Sequence, residues 1–368
     1  MMPRSPAPHA LSVELRLAPG EPVLATESVT AADLVDARSE AWWNGCLRMG
    51  HPEVPLFELP MTLSPVYREE PICAGFTLEL TNPEGRPFQC SFGRSCLDFV
   101  AWRGARKLLS RGVLQAEDTV SYELRADASA GLEEERGPGM VLSASRPLEF
   151  LSLPLAAVLD EARNSGHEAG DGRSHLFYTD AALEKAERIS RAGADSTPPV
   201  ETGGVLVGLL CRCPASGQMY TLVTDVIEAS DADEQTFSLS YSSRTWARIQ
   251  AVLNARRKET PELRILGQAH GHSFLPLGGA APCEVCDQVE VCGRTTAFLS
   301  ADDLTWCRAV FSAQPWQVSV VYGLNARGEA VDAHFGLHGG RLERRGYHVI
   351  PELDEIIKRH ASPAGRAR

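Results

Sequence analysis

Apolar positions in the second half of the chain change period from one segment to the next, and each period predicts an element. "TDAALEKAERISRAGA" sets Leu183, Ala186 and Ile189 on one side of a helix, with Thr179 or Asp180 as its cap. "ETGGVLVGLL" is apolar almost throughout and predicts a buried strand; "PASGQ" turns the chain and "MYTLVTDVIEA" returns antiparallel. In "SRTWARIQAVLNARRKE" the period lengthens again, and Trp246, Ile249 and Leu253 form the inner stripe of a second helix. "LRILGQAHGH" then reads as a strand, "SADDLTWCRAVF" as a short helix and "PWQVSVVYGL" as a strand. The order is helix, hairpin, helix, strand, long loop, helix, strand.

The first half carries fewer signals. "GFTLELTNPEGRPFQCSF" alternates around an "NPEG" turn and predicts a hairpin. "CLDFVAWRGARKLLSRG" places Leu97, Val100, Ala101, Leu108 and Leu109 at helical spacing, with Gly112 as the stop. "TVSYELRA" is a further strand. Two polar, glycine-rich stretches read as linkers, 126–140 and 164–174; between them "RPLEFLSLPLAAVLDEAR" predicts a short strand or turn and then a helix. The pattern divides the chain into an N-terminal α/β accessory domain (1–150), a helix and linker (151–173), a main α+β domain (174–340) and a C-terminal tail (341–368).

Composition narrows the function classes. The 368 residues are 43% hydrophobic and 23% charged, as in an ordinary globular protein. The net charge of −12 argues against a broad basic surface for nucleic acid. No apolar run is long enough for a signal peptide or a membrane span, so the expected location is the cytoplasm. Ten cysteines in such a chain are too few for a disulfide scaffold, and reduced thiols are expected.

Four positions carry candidate chemistry. On a strand, residues two apart point the same way, so His270 and His272 share a side. Two neutral imidazoles suit a divalent metal that takes a third protein ligand and keeps a fourth position open. The plain alternative is a pair of surface histidines where the strand frays. Asp303 follows Ser300 by three residues, the spacing of a capping box, and a first-turn carboxylate can also reach a metal held by the preceding strand. Glu201 stands at the mouth of an apolar strand, where it is either a solvated edge residue or a base for a hydrolytic site.

A helix, "ETGGVLVG", a hairpin, a helix, "ILGQAHGH" and "SADD" together resemble the JAMM zinc metalloproteases, also called JAB or MPN-plus, in their prokaryotic JAB type. The resemblance spans 174–325, about two-fifths of the chain. It implies a curved mixed β-sheet flanked by helices and one zinc bound by His270, His272, Asp303 and water. It also implies Glu201 as general acid/base, and Ser300 as a group that steadies the oxyanion. The reaction it implies is hydrolysis of an amide or isopeptide bond at the C-terminus of a ubiquitin-like or sulfur-carrier-like protein; the charge and the lack of a long apolar run lead to the separate expectation of no nucleic-acid or membrane partner.

The sequence departs from the family at two places. Ser273 stands where the family often has proline, and 27 residues (273–299) separate His272 from Ser300 where the usual connection is short. This insertion holds Cys283, Cys286 and Cys292, a C-x2-C-x5-C pattern open to a second, structural zinc, an iron–sulfur cluster or free thiols. Cys307 or a histidine is the candidate for a fourth ligand. Two rival readings follow: a non-catalytic scaffold of the same fold, and a metal- or redox-responsive interaction module built on Cys283–Cys292.

Overall fold

The computed structural model describes residues 10–49, 61–81, 85–127, 148–165, 174–230, 232–235, 238–272, 292–311 and 314–360. The protein is α+β, with seven α-helices among the described residues and two large sheets. No helix among them is long and apolar enough to cross a membrane. The chain divides into two compact units: residues 1–148 with 313–315 and 338–341, and the remainder.

The first unit contains β1 (Ala10–Arg16), β2 (Ala25–Ser28), α1 (Val35–Met49), β3 (Met61–Glu69), β4 (Ile72–Thr81), β5 (Pro87–Gly93), α2 (Asp98–Ser110) and β6 (Ser121–Asp127). The predicted hairpin is β4–β5, paired antiparallel from Gly75↔Gly93 to Thr81↔Pro87. The sheet runs β2-β1-β6-β4-β3, with β5 also on β4. Leu11, Val13 and Leu15 alternate inward along β1, as a one-faced sheet requires. Helix α2 buries Val100, Ala101 and Leu108 and stops at Gly112, whose φ of +70° suits glycine. Leu109, expected on the inner stripe, is 41% exposed.

The second unit contains β7 (Leu151–Ser152), α3 (Leu155–Glu161), β8 (Arg163–Ser165), β9 (Leu176–Thr179), α4 (Asp180–Arg191), β10 (Gly203–Arg212), β11 (Met219–Glu228), β12 (Asp233–Gln235), β13 (Ser238–Ser240), α5 (Ser243–Arg256), β14 (Arg264–Gly271), α6 (Ala301–Phe311), β15 (Val318–Leu324), β16 (Ala330–His338), β17 (Arg341–Arg344), β18 (Tyr347–Ile350) and α7 (Leu353–His360). Its mixed sheet runs β17-β16-β15-β14-β10-β11-β9-β18-β8, with β7 beside β10. The sheet curls until strands far apart in this order meet. His334 on β16 lies 3.1 Å from the Tyr178 hydroxyl on β9, and its ring is 3.9 Å from that of Tyr347 on β18.

One face of this sheet buries Val205, Val207, Leu209 and Leu222 against Leu155 and Val158 of α3, Ile249 and Leu253 of α5 and Ile356 of α7. Helix α4 packs against the other face, capped at Thr179, whose hydroxyl accepts from the Ala182 amide at 3.2 Å. The boundaries differ from those read in the sequence. Residues 151–165 belong to the second unit, since β7 pairs β10 and α3 closes its core. Nor are 341–360 a tail: β18 lies between β9 and β8, and Ile350 and Ile356 are fully buried.

Candidate metal centre

The site forms where β10 begins and β14 ends. Gly203 pairs with His270 and Gly204 with Ala269, and the Gly271 amide donates to the Thr202 carbonyl at 3.0 Å. Continued by one step, this register sets Glu201 opposite His272. Strand alternation then turns Glu201, His270 and His272 to one face, the face that α5 covers further along β10. The residue between the histidines points the other way, into α4. A Cβ on Gly271 would stand 1.9 Å from the Ser190 carbonyl oxygen, so only glycine allows this contact. The glycine of "HGH" therefore serves helix packing, and its neighbours serve the site.

Asp303 arrives from the opposite side on α6. The capping box is reciprocal: the Ser300 amide donates to Asp303 Oδ2 at 2.7 Å, and the Asp303 amide donates to Ser300 Oγ at 3.1 Å. Helical spacing then matches strand spacing. Asp303 lies over His270 and His272, while Cys307, one turn on, lies over Gln268, two residues back along β14. The His270 Nε2 to Asp303 Oδ1 distance is 3.2 Å, and His272 Nε2 is 3.5 Å from Asp303 Oδ2. The two Nε2 atoms are 3.1 Å apart, and Glu201 Oε1 is 3.8 Å from His272 Nε2.

The orientation of His272 is set by a bond that only one tautomer can make. Its Nδ1 lies 2.7 Å from the main-chain carbonyl oxygen of Thr296, which can only accept. The Nδ1 proton is committed there, and in the neutral ring a lone pair remains on Nε2, facing the carboxylates. Phe298 meets the same ring edge-on at 5.2 Å. His270 Nδ1 is buried with no hydrogen-bond partner among the described residues, so the polar contacts of that ring are made through Nε2, to Asp303 and His272.

This donor set fits a divalent cation. Imidazole nitrogens and carboxylate oxygens are the ligands zinc takes, and bonds of about 2.0 Å in a tetrahedron put neighbouring donors about 3.3 Å apart. The observed separations of 3.1, 3.2 and 3.5 Å bracket that value. Glu201, His270 and His272 also offer donor atoms all within 4.8 Å of one another and form a buried group able to hold a metal.

The carboxylates sit in different electrostatic settings. Burial pushes the Glu201 carboxyl up to about 7, with His272 opposing the shift and Asp303 adding to it. Burial also works against the Asp303 charge, but His270 and His272 outweigh it and hold that carboxyl well below the usual range. Glu201 is the group of the two that can exchange a proton near neutrality.

Thus Glu201, His270, His272, Asp303 and Ser300 converge from three stretches of sequence. Cys283 and Cys286 lie outside the described residues. Cys292 is buried, and Cys307 is enclosed beneath α6 beside Gln268 Nε2 (3.3 Å) and Ser319 Oγ (3.2 Å). Thr296 and Phe298 escape a reading of the sequence, because one contributes a main-chain oxygen and the other a ring edge. No residue-type signal marks either.

No family model matches the chain, and no curated protein matches it. Among solved structures, a solution structure of a protein from Desulfitobacterium hafniense is 18% identical, over 49% of this chain and 96% of that one, with a TM-score of 0.29. So low a score carries no argument about fold or function.

Proposed function

We propose that the second unit is a zinc-dependent metallopeptidase of the JAMM type, with a JAB/MPN-like sheet, that hydrolyses an amide or isopeptide bond. The observation that carries this reading is the convergence of Glu201, His270, His272 and Asp303 at one buried point. His270, His272 and Asp303 would hold the metal, since the Asp303 oxygens approach the two Nε2 atoms more closely than Glu201 does. When bound, zinc supplies Lewis-acid polarisation of a substrate carbonyl and acidifies a neighbouring water.

The protein's own groups would do the rest. Glu201 takes the proton of the attacking water and returns it to the departing amine, so no free amide anion has to leave. Ser300 accepts the Asp303 amide through its lone pairs, which leaves its hydroxyl proton to donate to the carbonyl oxygen as negative charge grows there. The low exposure of Glu201 (3%), His270 (2%) and His272 (2%) limits water at the reacting atoms. The substrate class, the C-terminus of a ubiquitin-like or sulfur-carrier-like protein, follows from the family resemblance.

The test combines metal content per chain with cleavage of a ubiquitin-like protein extended by a C-terminal amide. Glu201→Gln should keep its zinc and lose cleavage by at least about a hundredfold. His270→Ala/His272→Ala should lose both. A double variant that kept all its metal would sink the proposal. Zinc retention with no cleavage by the wild type, across ubiquitin-like and sulfur-carrier-like substrates, would favour the scaffold.

A further inference from the structure

The segment that follows the insertion is fastened to the sheet at Thr295, whose hydroxyl donates to the Leu324 carbonyl at 3.3 Å, at Ala297, whose carbonyl accepts from Arg344 Nη2 at 2.6 Å, and at Thr296 between them, which also holds the metal-facing histidine. The Thr296 amide donates to the Leu324 carbonyl at 2.9 Å, and the Leu324 amide donates to Thr296 Oγ1 at 2.7 Å. The Thr296 hydroxyl proton lies 3.4 Å, oxygen to oxygen, from both the Leu324 and His272 carbonyls. Thr296 is 2% exposed. Its main-chain carbonyl is the oxygen that takes the His272 Nδ1 proton at 2.7 Å.

The close seat of this segment depends on a second residue. A Cβ on Gly323 would stand 2.5 Å from the Ala297 amide nitrogen and 2.6 Å from Thr296 Oγ1. Glycine at 323 therefore lets Thr296 lie directly against β15. The hydroxyl then pins the segment, and the pinned carbonyl fixes both the tautomer and the ring angle of His272.

We propose that Thr296 is a positioning residue for the metal centre: its side-chain hydroxyl, bonded to the end of β15, holds its own carbonyl where that carbonyl selects the metal-ligating tautomer of His272. This rests on the metallopeptidase reading for its consequence, but the tautomer effect exists without a metal. Partners that orient a ligating histidine typically contribute ten- to a hundredfold in metal affinity.

Two readouts on the full chain test it. In metal-stripped protein with ¹⁵N-labelled histidine, the His272 resonances report which ring nitrogen is protonated. Zinc affinity is then measured by competition with a chromophoric chelator. Thr296→Val should shift His272 away from the Nδ1–H form and weaken zinc by at least about tenfold, and Thr296→Ser should restore both. Gly323→Ala, which keeps threonine at 296 but presses a methyl against its Oγ1 and the Ala297 amide, should reproduce the Thr296→Val result. Thr179→Ala removes the α4 cap and leaves this segment intact, so it should leave tautomer and affinity unchanged. An unaltered tautomer and affinity in folded Thr296→Val would overturn the proposal, and so would equal losses in Thr179→Ala, which would assign the effect to general destabilisation. A wild type that shows the tautomer effect but binds no zinc would overturn the metallopeptidase reading and leave Thr296 orienting His272 alone.

Discussion

At the scale of single residues, the site rests on two carboxylates whose surroundings pull them in opposite directions. Burial, with Asp303 nearby and His272 in opposition, raises Glu201 from 4.5 to about 7. A carboxyl raised on folding contributes stability that is complete below its unfolded value and is lost as pH climbs through the folded one. In metal-free protein the Glu201 contribution should therefore fall away between about pH 4.5 and 7, by about 3 kcal/mol. Asp303 is depressed, so its contribution is lost only below its ordinary value of 3.8 and stays constant across that window. Urea unfolding in chelator at pH 5 and pH 8 should show a drop in the wild type that Glu201→Gln lacks; equal drops in both would show that Glu201 is not the raised group. These residues were legible in the sequence because each is a donor side chain at a telling spacing. Thr296 was not, because what it offers His272 is a carbonyl that every residue possesses.

At the scale of elements, the local periods translate well into structure and the long-range pairings do not. Helix α4, the apolar run of β10 and the hairpin around "NPEG" each depend on neighbours within about ten residues, and each forms where the pattern places it, although the inner stripe of α4 is Ala182, Ala186 and Ile189, with the expected Leu183 only half-buried. The parallel pairing of β14 with β15 depends on residues some fifty positions apart, and no local period encodes it. Glycine spacing gives a partial clue that can be tested. Gly271 closes the contact between the end of β14 and α4, since an added methyl would meet the Ser190 carbonyl at 1.9 Å. Gly271→Ala should cost about 1–3 kcal/mol or more through overpacking. Because the strand must move, it should also displace the flanking histidines and weaken metal binding. Gly293→Ala adds a methyl where nothing lies within 4 Å and should stay within about 0.5 kcal/mol of wild type. Denaturant midpoints of both variants decide this, and a neutral Gly271→Ala would mean that α4 yields at no cost.

At the scale of the whole molecule, the second unit is closed by the part of the chain that the sequence presents as a tail. Strand β18 fills the gap between β9 and β8, pairing His348 with Phe177 on one side and with Asn164 on the other. Without it those two strands would face each other across an empty lane with unpaired main-chain groups. Ile350 and Ile356, both 0% exposed, would leave a cavity against Leu153 and Val158. The buried His334 would lose the Tyr347 ring at 3.9 Å and keep only Tyr178 and Asp332. Deleting one large buried aliphatic costs about 2–5 kcal/mol, so two of them, with a doubly paired strand lost besides, are comparable to the whole stability of a typical domain, about 5–15 kcal/mol. A chain ending at residue 340 should thus lose the unfolding transition of the second unit, and with it stoichiometric zinc, while the β1–β6 sheet of the first unit still gives hydrogen-exchange protection. A chain of residues 149–368 should keep both the transition and the zinc. If the chain ending at 340 instead unfolded cooperatively in both units and held as much metal as the full chain, β18 and α7 would be ornaments on a domain already complete at 340.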